Sequence, residues 1–459
     1  MTLISQNPAN GKKIKSYEEM TSDEVVNILE KVQTDWKVWR QVSFTNRSKT
    51  MMNTSAILRE KKNEFARLMS LEMGKPFTQA VAEVEKSAWV CEYYAKNAES
   101  FLSPRDVKTE ASKSYIAFEP IGIVLAVMPW NFPFWQVFRF AAPTLMAGNA
   151  GVLKHASNVQ GCASAIEQIF SKAGFPKHLF RTLRIGSSMV SEVIEHSYIR
   201  AVTLTGSTPA GKAVAAKAGS LLKKTVLELG GSDPYVVLED ADIEKSAHAC
   251  VEGRMLNTGQ SCIAAKRFIV VESIKDDFEA LVVRKMGMKR MGDPFEDVDI
   301  GPMVNEAARD ELHRQVTQSV KTGAILLLGG RVVVEHEEDD VGAFYLPTVL
   351  TNVSPGMPAF DEELFGPVAV IISAKDEEDA IRLANQTEFG LGAAVFTKDV
   401  KKGEEIAKNK LQAGACFLND FVRSDPRLPF GGVKESGYGR ELGEFGIHEF
   451  VNIKTVYIT

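Results

Sequence analysis

The most chemically suggestive stretch of the chain is Asn257–Cys262, where a glycine-containing turn leads into a cysteine. It follows a predicted amphipathic helix over 242–256. Such a turn lets the backbone present a side chain and its own N–H group to a cleft. Cys262 is therefore our candidate nucleophile. The alternative is that it is a small buried hydrophobe, as most free cysteines are.

Two polar residues are suited to assist such a nucleophile. Asn131, within Pro129–Pro133, stands between a predicted strand and a predicted helix, where its amide can donate to a developing oxyanion; the alternative is an N-cap or Asx-turn asparagine. Glu228 interrupts an apolar strand. Burial raises the pKa of a carboxyl group, which suits a general base. The alternative is a strand-edge glutamate paired with Lys223 or Lys224.

A third segment, Thr205–Gly211, joins a predicted strand to a predicted helix. Its small residues let backbone N–H groups approach a pyrophosphate at the helix N-terminus. It departs from the G-x-G-x-x-G pattern and is only weakly typical of a dinucleotide site, because any tight strand–helix turn has a similar composition.

The elements that must position these residues form two α/β series. At 459 residues the chain predicts two or three domains. Strands and helices alternate over 148–229, which predicts a doubly wound parallel sheet, and a second alternating series runs over 235–396.

The front of the chain is predicted to be helical. Thr21 and Glu24 have the spacing of a capping box ahead of an amphipathic helix. Two further helices are predicted over 55–73 and 79–101, and a final strand over 447–458.

Composition narrows the class of protein. The net charge of −5 argues against nucleic acid or an anionic membrane as the main partner. The five cysteines are widely spaced, which favours a reducing cytoplasm over a disulfide framework, and the histidine spacing predicts no metal site. Residues 1–17 are not typical of a signal peptide, and the apolar run 121–130 is too short to span a bilayer. The acidic cluster 335–340 is predicted to be a solvated loop.

Together these segments resemble the aldehyde dehydrogenase superfamily over essentially the whole chain. The matching motifs are Pro129–Pro133 (PWNFP), Lys154, Thr205–Gly211, Leu227–Gly231 (LELGG), Asn257–Cys262 (NTGQSC), Glu363–Pro367 (ELFGP) and Pro429–Gly432 with Lys434, Ser436 and Gly437. The spacing between Glu228 and Cys262 also matches the family.

The resemblance implies two doubly wound α/β domains plus a small β element. Residues 1–103 and 127–232 would bind NAD(P)⁺, 233–425 would carry the catalytic domain, and 104–126 with 440–459 would form a bridging element for oligomerisation. An apolar edge strand near the C-terminus would be exposed in a monomer, so we expect a homodimer or a tetramer.

The resemblance also implies the roles of individual residues. The Cys262 thiolate attacks the aldehyde, the Asn131 amide and the Cys262 N–H hold the oxyanion, hydride passes to the nicotinamide, and Glu228 activates water on the thioester. The implied cofactor-binding residues are Trp130, Lys154, Ser157, Gly206, Ser207, Gly211, Leu229, Glu363 and Phe365.

Ser157 bears on the choice of cofactor. Many NAD-using relatives have a glutamate at the matching position, which holds the ribose hydroxyls. Here that carboxylate is absent, and Lys154 would attract the charge of a 2′-phosphate. NADP⁺ is therefore expected to be accepted and preferred, with NAD⁺ as the second cofactor; the alternative is poor discrimination between the two.

Trp135 and Arg139 indicate the aldehyde. At i and i+4 on a predicted helix they share a face. Arg139 can therefore bind a carboxylate of the substrate while Trp135 lines the substrate channel. The surrounding segment resembles bacterial succinate-semialdehyde dehydrogenases, in which an arginine at this position binds the distal carboxylate. A serine that this group supplies from a C-terminal loop is not clear here; Asn419 or Ser424 are the candidates.

Some features depart from that group. An arginine that some members carry six residues before the cysteine is Leu256 here. If Arg139 makes only a surface ion pair, the enzyme is a broader aliphatic or aromatic aldehyde dehydrogenase. The rivals from other classes are a catalytically idle binding protein on the same scaffold and an acylating enzyme that uses coenzyme A.

Overall fold

Strands and helices alternate along most of the chain, as the sequence predicts. The computed structural model describes residues 2–333 and 342–459, so the predicted acidic loop at 335–340 lies outside the described residues. The strands are β1 Thr2–Gln6, β2 Lys13–Glu18, β3 Arg105–Asp106, β4 Lys113–Pro120, β5 Ile123–Met128, β6 Ala150–His155, β7 Phe180–Thr182, β8 Ile199–Thr205, β9 Lys224–Glu228, β10 Asp233–Val237, β11 Ala265–Val271, β12 Ile325–Leu328, β13 Thr348–Thr351, β14 Val368–Ala374, β15 Gly392–Phe396, β16 Ala415–Leu418, β17 Gly437–Tyr438 and β18 Val451–Ile458. The helices are α1 Ser22–Trp39, α2 Phe44–Glu60, α3 Lys62–Met73, α4 Phe77–Leu102, α5 Trp135–Met146, α6 Gln160–Ala173, α7 Val190–Glu195, α8 Thr208–Ser220, α9 Ile243–Met255, α10 Lys275–Gly287, α11 Glu306–Lys321, α12 Pro358–Asp361, α13 Glu377–Asn385, α14 Val400–Glu405 and α15 Gly443–His448.

The first sheet has six strands in the order β17-β9-β8-β5-β6-β7. All its pairs are parallel except β17 with β9. Strand β5 lies in its centre, paired with β6 and β8 along its length. The predicted boundary at 126/127 falls within this strand.

The second sheet has seven strands in the order β12-β13-β14-β11-β10-β15-β16. It is parallel apart from the edge strand β12. Alternate residues of β10 belong to different cores: Val236 packs into one cluster, and Tyr235 and Val237 pack into another. Both faces of the sheet are thus covered, which confirms a doubly wound architecture. Strands β13 and β16 were not predicted.

A small antiparallel sheet, β18-β4-β3, stands apart from the two large ones. The predicted C-terminal strand over 447–458 begins later, at Val451, because Gly443–His448 forms a short helix. On β18, the side chains of Ile453 and Tyr457 are 62% and 53% exposed. This sheet therefore presents apolar side chains to solvent. The assignment of the residue ranges to a cofactor domain, a catalytic domain and a bridging element remains a prediction.

Sequence signals mark some of the ends of the N-terminal helices, but not all of them. Thr21 and Glu24 form the predicted capping box at the start of α1. The single helix expected over 55–73 is two helices, because the backbone leaves helical geometry at Lys61. The hairpin β1–β2 was not predicted; the buried Ser5 hydroxyl ties it to Glu72 with a 2.7 Å hydrogen bond. Within the described part of the chain, none of the helices is long and apolar enough to cross a membrane.

Candidate active site

The turn before Cys262 has an unusual backbone. Asn257, Thr258 and Gly259 have φ values of 56°, 57° and 73°, so three successive residues lie in the left-handed region. Left-handed backbone at a non-glycine residue costs on the order of 1–3 kcal/mol and persists only where the surroundings enforce it. The turn ends α9, whose N-cap Asp242 and range match the predicted helix.

Hydrogen bonds from distant elements enforce this turn. The Asn257 N–H donates to the Gln79 side chain at 2.8 Å, and the Thr258 hydroxyl accepts from the Gly301 N–H at 3.0 Å. A Cβ on Gly259 would lie 2.3 Å from the carbonyl oxygen of Gly366, so only glycine fits there. The buried Arg254 guanidinium donates to the carbonyls of Gly259 and Gly366, both at 2.6 Å. The nucleophile turn is therefore fastened to the Glu363–Pro367 segment.

Cys262 lies at the meeting point of two cavities. It lines one cavity of about 150 Å³ together with Trp135 and Arg139. It also lines a second of about 350 Å³ together with Trp130 and Glu363. Burial raises the pKa of the Cys262 thiol to about 12, and the charges of Arg139 and Lys266 oppose that rise. The surroundings of Cys262 therefore favour the protonated thiol.

Lys266 connects the nucleophile to the second cavity. Its side chain is 2% exposed. Its ammonium donates to the carbonyls of Ser261 and Cys262, at 3.0 and 2.7 Å, and lies 3.2 Å from the Glu363 carboxylate. One buried cation thus spans the nucleophile turn and a predicted cofactor residue.

Asn131 lies beside the same turn. Its side-chain NH₂ donates to the carbonyl of Gln260 at 3.2 Å, and its backbone carbonyl accepts from the Asn257 amide at 2.8 Å. The Lys75 ammonium also donates to that carbonyl at 2.9 Å. The N-cap position of α5 is occupied by Phe134, not by Asn131. Asn131 is therefore not the N-cap residue of this helix. Asn131 also lines the larger cavity with Cys262.

Glu228 ends strand β9 in register with Thr205 of β8. Neither carboxylate oxygen has a hydrogen-bond partner, and the residue is 1% exposed. Burial and the nearby Glu441 carboxylate raise the pKa of Glu228 well above its usual range. The alternative pairing is excluded, because Lys223 donates to backbone carbonyls and Lys224 pairs with Glu449.

Arg139 is buried, so it makes no surface ion pair. Its guanidinium contacts the Glu441 carboxylate, with side-chain exposures of 2% and 6%. It also donates to the Thr205 hydroxyl at 3.4 Å and lies 4.7 Å from the centre of the Phe430 ring. Burial raises the pKa of Glu441, whereas Arg139 lowers it. The predicted clamp is thus already in contact with a carboxylate of the protein.

The two cavities differ in their walls. The smaller one is bounded mainly by apolar side chains such as Leu256, Ile263 and Phe430, with the cationic side chains of Arg139 and Lys86 among them. As predicted from their spacing, Trp135 and Arg139 face this cavity together.

The larger cavity brings together most of the predicted cofactor residues. Those that line it are Trp130, Gly206, Ser207, Leu229, Glu363 and Phe365. Ser207 is the N-cap residue of α8, so the N–H groups of that helix begin at the cavity edge. The larger cavity therefore offers two groups that can bind a dinucleotide: the N-terminus of α8 and the Glu363 carboxylate.

Three predicted cofactor residues lie away from that wall. Lys154 is half-buried near the end of β6, and burial lowers its pKa. Ser157 is exposed just beyond β6. Gly211 lies within α8 against Leu229, since a Cβ there would lie 2.5 Å from Leu229 Cδ2. Its small size lets Leu229 pack against the helix.

Comparison with known proteins decides the family. The Aldehyde dehydrogenase family profile matches residues 2–456. The chain belongs to the aldehyde dehydrogenase family. A probable succinate-semialdehyde dehydrogenase [NADP(+)] from Synechocystis is 47% identical over 459 residues, covering 100% of both chains. The succinate semialdehyde dehydrogenase [NAD(P)+] of Escherichia coli is 46% identical, over 99% of this chain and 97% of that one.

Solved structures agree on the fold. A crystal structure of succinic semialdehyde dehydrogenase from Streptococcus pyogenes, in complex with NADP⁺, superposes with a TM-score of 0.96. It is 34% identical and covers 99% of each chain. The predicted aldehyde dehydrogenase fold is thereby confirmed.

The substrate side of this aldehyde dehydrogenase differs in one respect from the prediction. The Asn419 side chain accepts from the Thr397 N–H at 3.0 Å and donates to the Thr397 carbonyl at 2.9 Å. Both ends of its amide are thus used in fixing a turn, and the structure does not bring it to either cavity. Ser424, the alternative, lines the smaller cavity.

Sequence reasoning missed several charged residues of this aldehyde dehydrogenase site. Lys75, Lys86, Lys266 and Glu441 all lie within it. Lys266 carried a usable signal, because it stands within a buried apolar strand, β11. Lys86 and Glu441 carried none, since charged residues are ordinary on helices and in loops.

Proposed function

We propose that this aldehyde dehydrogenase oxidises succinate semialdehyde to succinate with NADP⁺, and accepts NAD⁺ less well. The observation that carries the proposal is the position of Cys262 between the cavity lined by predicted cofactor residues and a small, mainly apolar cavity with cationic side chains. The smaller cavity is on the order of the size that holds a benzene-sized ligand. The relatives named succinate-semialdehyde dehydrogenases support the same substrate.

The reaction begins with Cys262. Because burial raises the pKa of the thiol, the thiol must give its proton to a solvent water molecule as the sulfur attacks, and the charges of Arg139 and Lys266 favour the resulting thiolate. The S–C bond forms while the carbonyl π electrons move to oxygen. The Asn131 amide and the Cys262 N–H are the donors to that oxyanion.

The adduct must then lose hydride from its carbon to become a thioester. NADP⁺, when bound in the larger cavity, supplies the hydride acceptor. The chain's part is to hold the two reactants: Glu363 and Phe365 lie at the cavity wall, and Lys266 and Arg254 keep that wall in register with the nucleophile turn. Holding reactants in register lowers the barrier through orientation.

Glu228 completes the reaction. It takes a proton from water, which attacks the thioester; the C–S bond breaks and the acid leaves. A carboxylate with a raised pKa is a stronger base than an ordinary one, and burial of Glu228 provides this. Its side chain lies against Gly431 rather than at the wall of the two described cavities, so it must turn toward Cys262 to act.

The preference for NADP⁺ rests on the end of β6. Ser157 is exposed there and carries no charge, so nothing at that position repels a 2′-phosphate. Lys154, within β6 and shortly before Ser157 in the chain, is the cation that would attract that phosphate. A carboxylate at 157 would reverse this balance.

The test is steady-state oxidation of succinate semialdehyde, hexanal and benzaldehyde, each with NADP⁺ and with NAD⁺, by the wild type and Arg139→Ala. We expect succinate semialdehyde to have the highest kcat/KM, and NADP⁺ to exceed NAD⁺. If hexanal and benzaldehyde have kcat/KM values equal to or above that of succinate semialdehyde, the protein is a broad aldehyde dehydrogenase. If none of the aldehydes reacts, the scaffold is a binding protein.

The reaction product distinguishes hydrolysis of the thioester from its transfer to coenzyme A. Because Glu228 is present as a base for water, we expect succinate to form without coenzyme A. Turnover that requires coenzyme A would instead identify an acylating enzyme.

We also propose that the protein is a homodimer or a dimer of dimers in the cytoplasm. The exposed apolar residues of β18 support subunit pairing through the three-stranded sheet. The five free cysteines support a reducing compartment. Light scattering coupled to size exclusion gives the mass, and a monomer would contradict the first part.

A further inference from the structure

A buried glutamine on α5 lies where the two cavities meet, and the mechanism above does not use it. Of the residues that the structure describes, Gln136 and Cys262 are the two that line both cavities. Gln136 is 1% exposed, and its Oε1 has no hydrogen-bond partner among the described residues. A buried amide oxygen without a donor is costly, so this oxygen is suited to accept from a molecule that enters the cavities.

The backbone that carries Gln136 is held in place by hydrogen bonds. Its N–H donates to the Phe132 carbonyl at 3.0 Å, at the start of α5. The N–H groups of Phe134 and Trp135 donate to the buried Glu83 carboxylate, at 2.9 and 3.0 Å. The glutamine amide therefore extends from a fixed backbone, which a group that orients a reactant requires.

The step of the reaction that needs another acceptor is hydrolysis of the thioester. The attacking water carries two protons, and Glu228 removes only one of them. A second acceptor must hold the other proton if a lone pair of the water is to point at the thioester carbon. The other unpartnered amide oxygen at the wall of the larger cavity is Asn131 Oδ1, which belongs to the group that turns its NH₂ toward the oxyanion. Gln136 Oε1 is the acceptor that remains.

The position of Glu228 in the first sheet directs the base to the same place. Glu228 is in register with Thr205, and Thr205, Leu229 and Gly230 all line the larger cavity. The turn that the mechanism requires of Glu228 therefore takes its carboxylate into a cavity that Gln136 also lines. With the acyl chain in the smaller cavity, the thioester carbon lies at the junction of the two cavities, between the base and the glutamine.

We propose that Gln136 is a catalytic residue of thioester hydrolysis, and that its Oε1 accepts a hydrogen bond from the attacking water while Glu228 removes the other proton. This inference rests on the proposed function, since it assigns a residue to the last step of that reaction. The water oxygen forms a bond to the thioester carbon. The C–S bond then breaks, its electron pair stays on the Cys262 sulfur, and the acid leaves with the proton that Gln136 held.

The experiment separates formation of the thioester from its hydrolysis. Enzyme and saturating NADP⁺ are mixed rapidly with succinate semialdehyde, and in a second series with hexanal, while NADPH absorbance is followed. The first turnover reports the steps through hydride transfer, and the steady state reports all steps. The variants are Gln136→Met, which keeps the length of the side chain and removes the acceptor, and the double variant Gln136→Met/Glu228→Gln. Gln160→Met is the matched control, because Gln160 is also 1% exposed with an unpartnered Oε1 and lines neither cavity.

We expect Gln136→Met to lower the steady-state rate roughly 10- to 100-fold and to change the rate of the first turnover by less than about threefold, because only the water loses a hydrogen bond. A burst of NADPH equal to the enzyme concentration is then followed by slow turnover, and the solvent deuterium isotope effect is larger on the steady state than on the burst. The double variant loses less than the product of the two single losses, because both residues act on one water. Gln160→Met leaves both rates unchanged.

Two results with the Gln136→Met variant would overturn the inference while the proposed function stands. If the first turnover slows as much as the steady state, Gln136 acts before the thioester or only supports the fold. If the steady-state rate is unchanged, the water needs no such acceptor. Failure of the proposed function has a different signature. A wild type that prefers hexanal, with the burst retained in Gln136→Met, loses the substrate assignment and keeps the role of Gln136. A wild type that oxidises neither aldehyde, or that requires coenzyme A, has no hydrolysis step, and the inference fails with it.

Discussion

The buried ion pair of Lys75 and Glu83 offers a sharp test of how the site is held. Both side chains are almost fully buried, at 1% and 2% exposure. Lys75 also donates to the Asn131 carbonyl at 2.9 Å. The perturbation we consider is Glu83→Gln, which keeps the shape of the side chain and removes its charge.

The expected loss follows from the burial. Removing one partner of a buried ion pair leaves the other charge uncompensated and costs about 3–5 kcal/mol. The amide oxygen of glutamine can still accept from the N–H groups of Phe134 and Trp135, which both donate to one oxygen of Glu83, so we expect the lower end, about 3 kcal/mol. Asn131 loses part of its support, and we expect kcat to fall roughly 10- to 100-fold, a fraction of what loss of an oxyanion donor costs.

The assay is guanidinium unfolding at one fixed protein concentration, with kcat measured on the same samples. Glu85→Gln is the matched control, because Glu85 lies on the same helix in an ion pair with Lys62 that is 37–41% exposed. Its loss should cost no more than about 1 kcal/mol. The double variant Lys75→Met/Glu83→Gln should lose at least about 2 kcal/mol less than the two single losses added together, since no bare charge remains. Equal costs for Glu83→Gln and Glu85→Gln would refute the reasoning.

Three further predictions concern the chemistry. Because burial holds the pKa of Cys262 near 12, the rate of its alkylation by iodoacetamide in the free enzyme should rise about tenfold for each pH unit from 7 to 10; a plateau near pH 8 would contradict this. Glu228→Gln should retain a pre-steady-state burst of NADPH, while steady-state turnover falls on the order of 10²–10⁴-fold, because only hydrolysis needs the base; loss of the burst as well would assign Glu228 an earlier role. Ser157→Glu should lower kcat/KM for NADP⁺ by at least about tenfold and spare NAD⁺, through repulsion of the 2′-phosphate; equal effects on the two cofactors would place the phosphate elsewhere.

The residues that carry chemistry could be found in the sequence because they break a pattern. Glu228 interrupts an apolar strand, and Cys262 ends a polar turn that follows an amphipathic helix. The alternation of strands and helices gave the two α/β series, since strand period and helix period differ. Other elements escaped: strands β13 and β16 were not predicted, and the break at Lys61 has no proline or glycine to mark it.

Other features depend on contacts that sequence cannot reveal. Asparagine adopts a left-handed backbone more readily than threonine does, but the conformation of Asn257 and Thr258 together is held by Gln79 and Gly301, which are far away in the chain. The burial of Arg139 was also hidden, because a helix pattern gives the face of a residue but not the partner that covers it. Its contact with Glu441 joins α5 to the C-terminal segment.

The buried cations around the site have a common arrangement. Lys75 binds the carbonyl of Asn131, Arg254 binds the carbonyl of Gly259, and Lys266 binds the carbonyl of Cys262. Apolar side chains of similar volume would often give equal or greater stability than buried charges do, so stability alone does not account for three of them. What apolar packing lacks is direction: an ammonium or guanidinium fixes the carbonyl that it binds to within a few tenths of an ångström. The donors and the nucleophile of this site lie on two loops from different parts of the chain, around Asn131 and over Asn257–Cys262, and buried cations help to hold the two loops in one geometry.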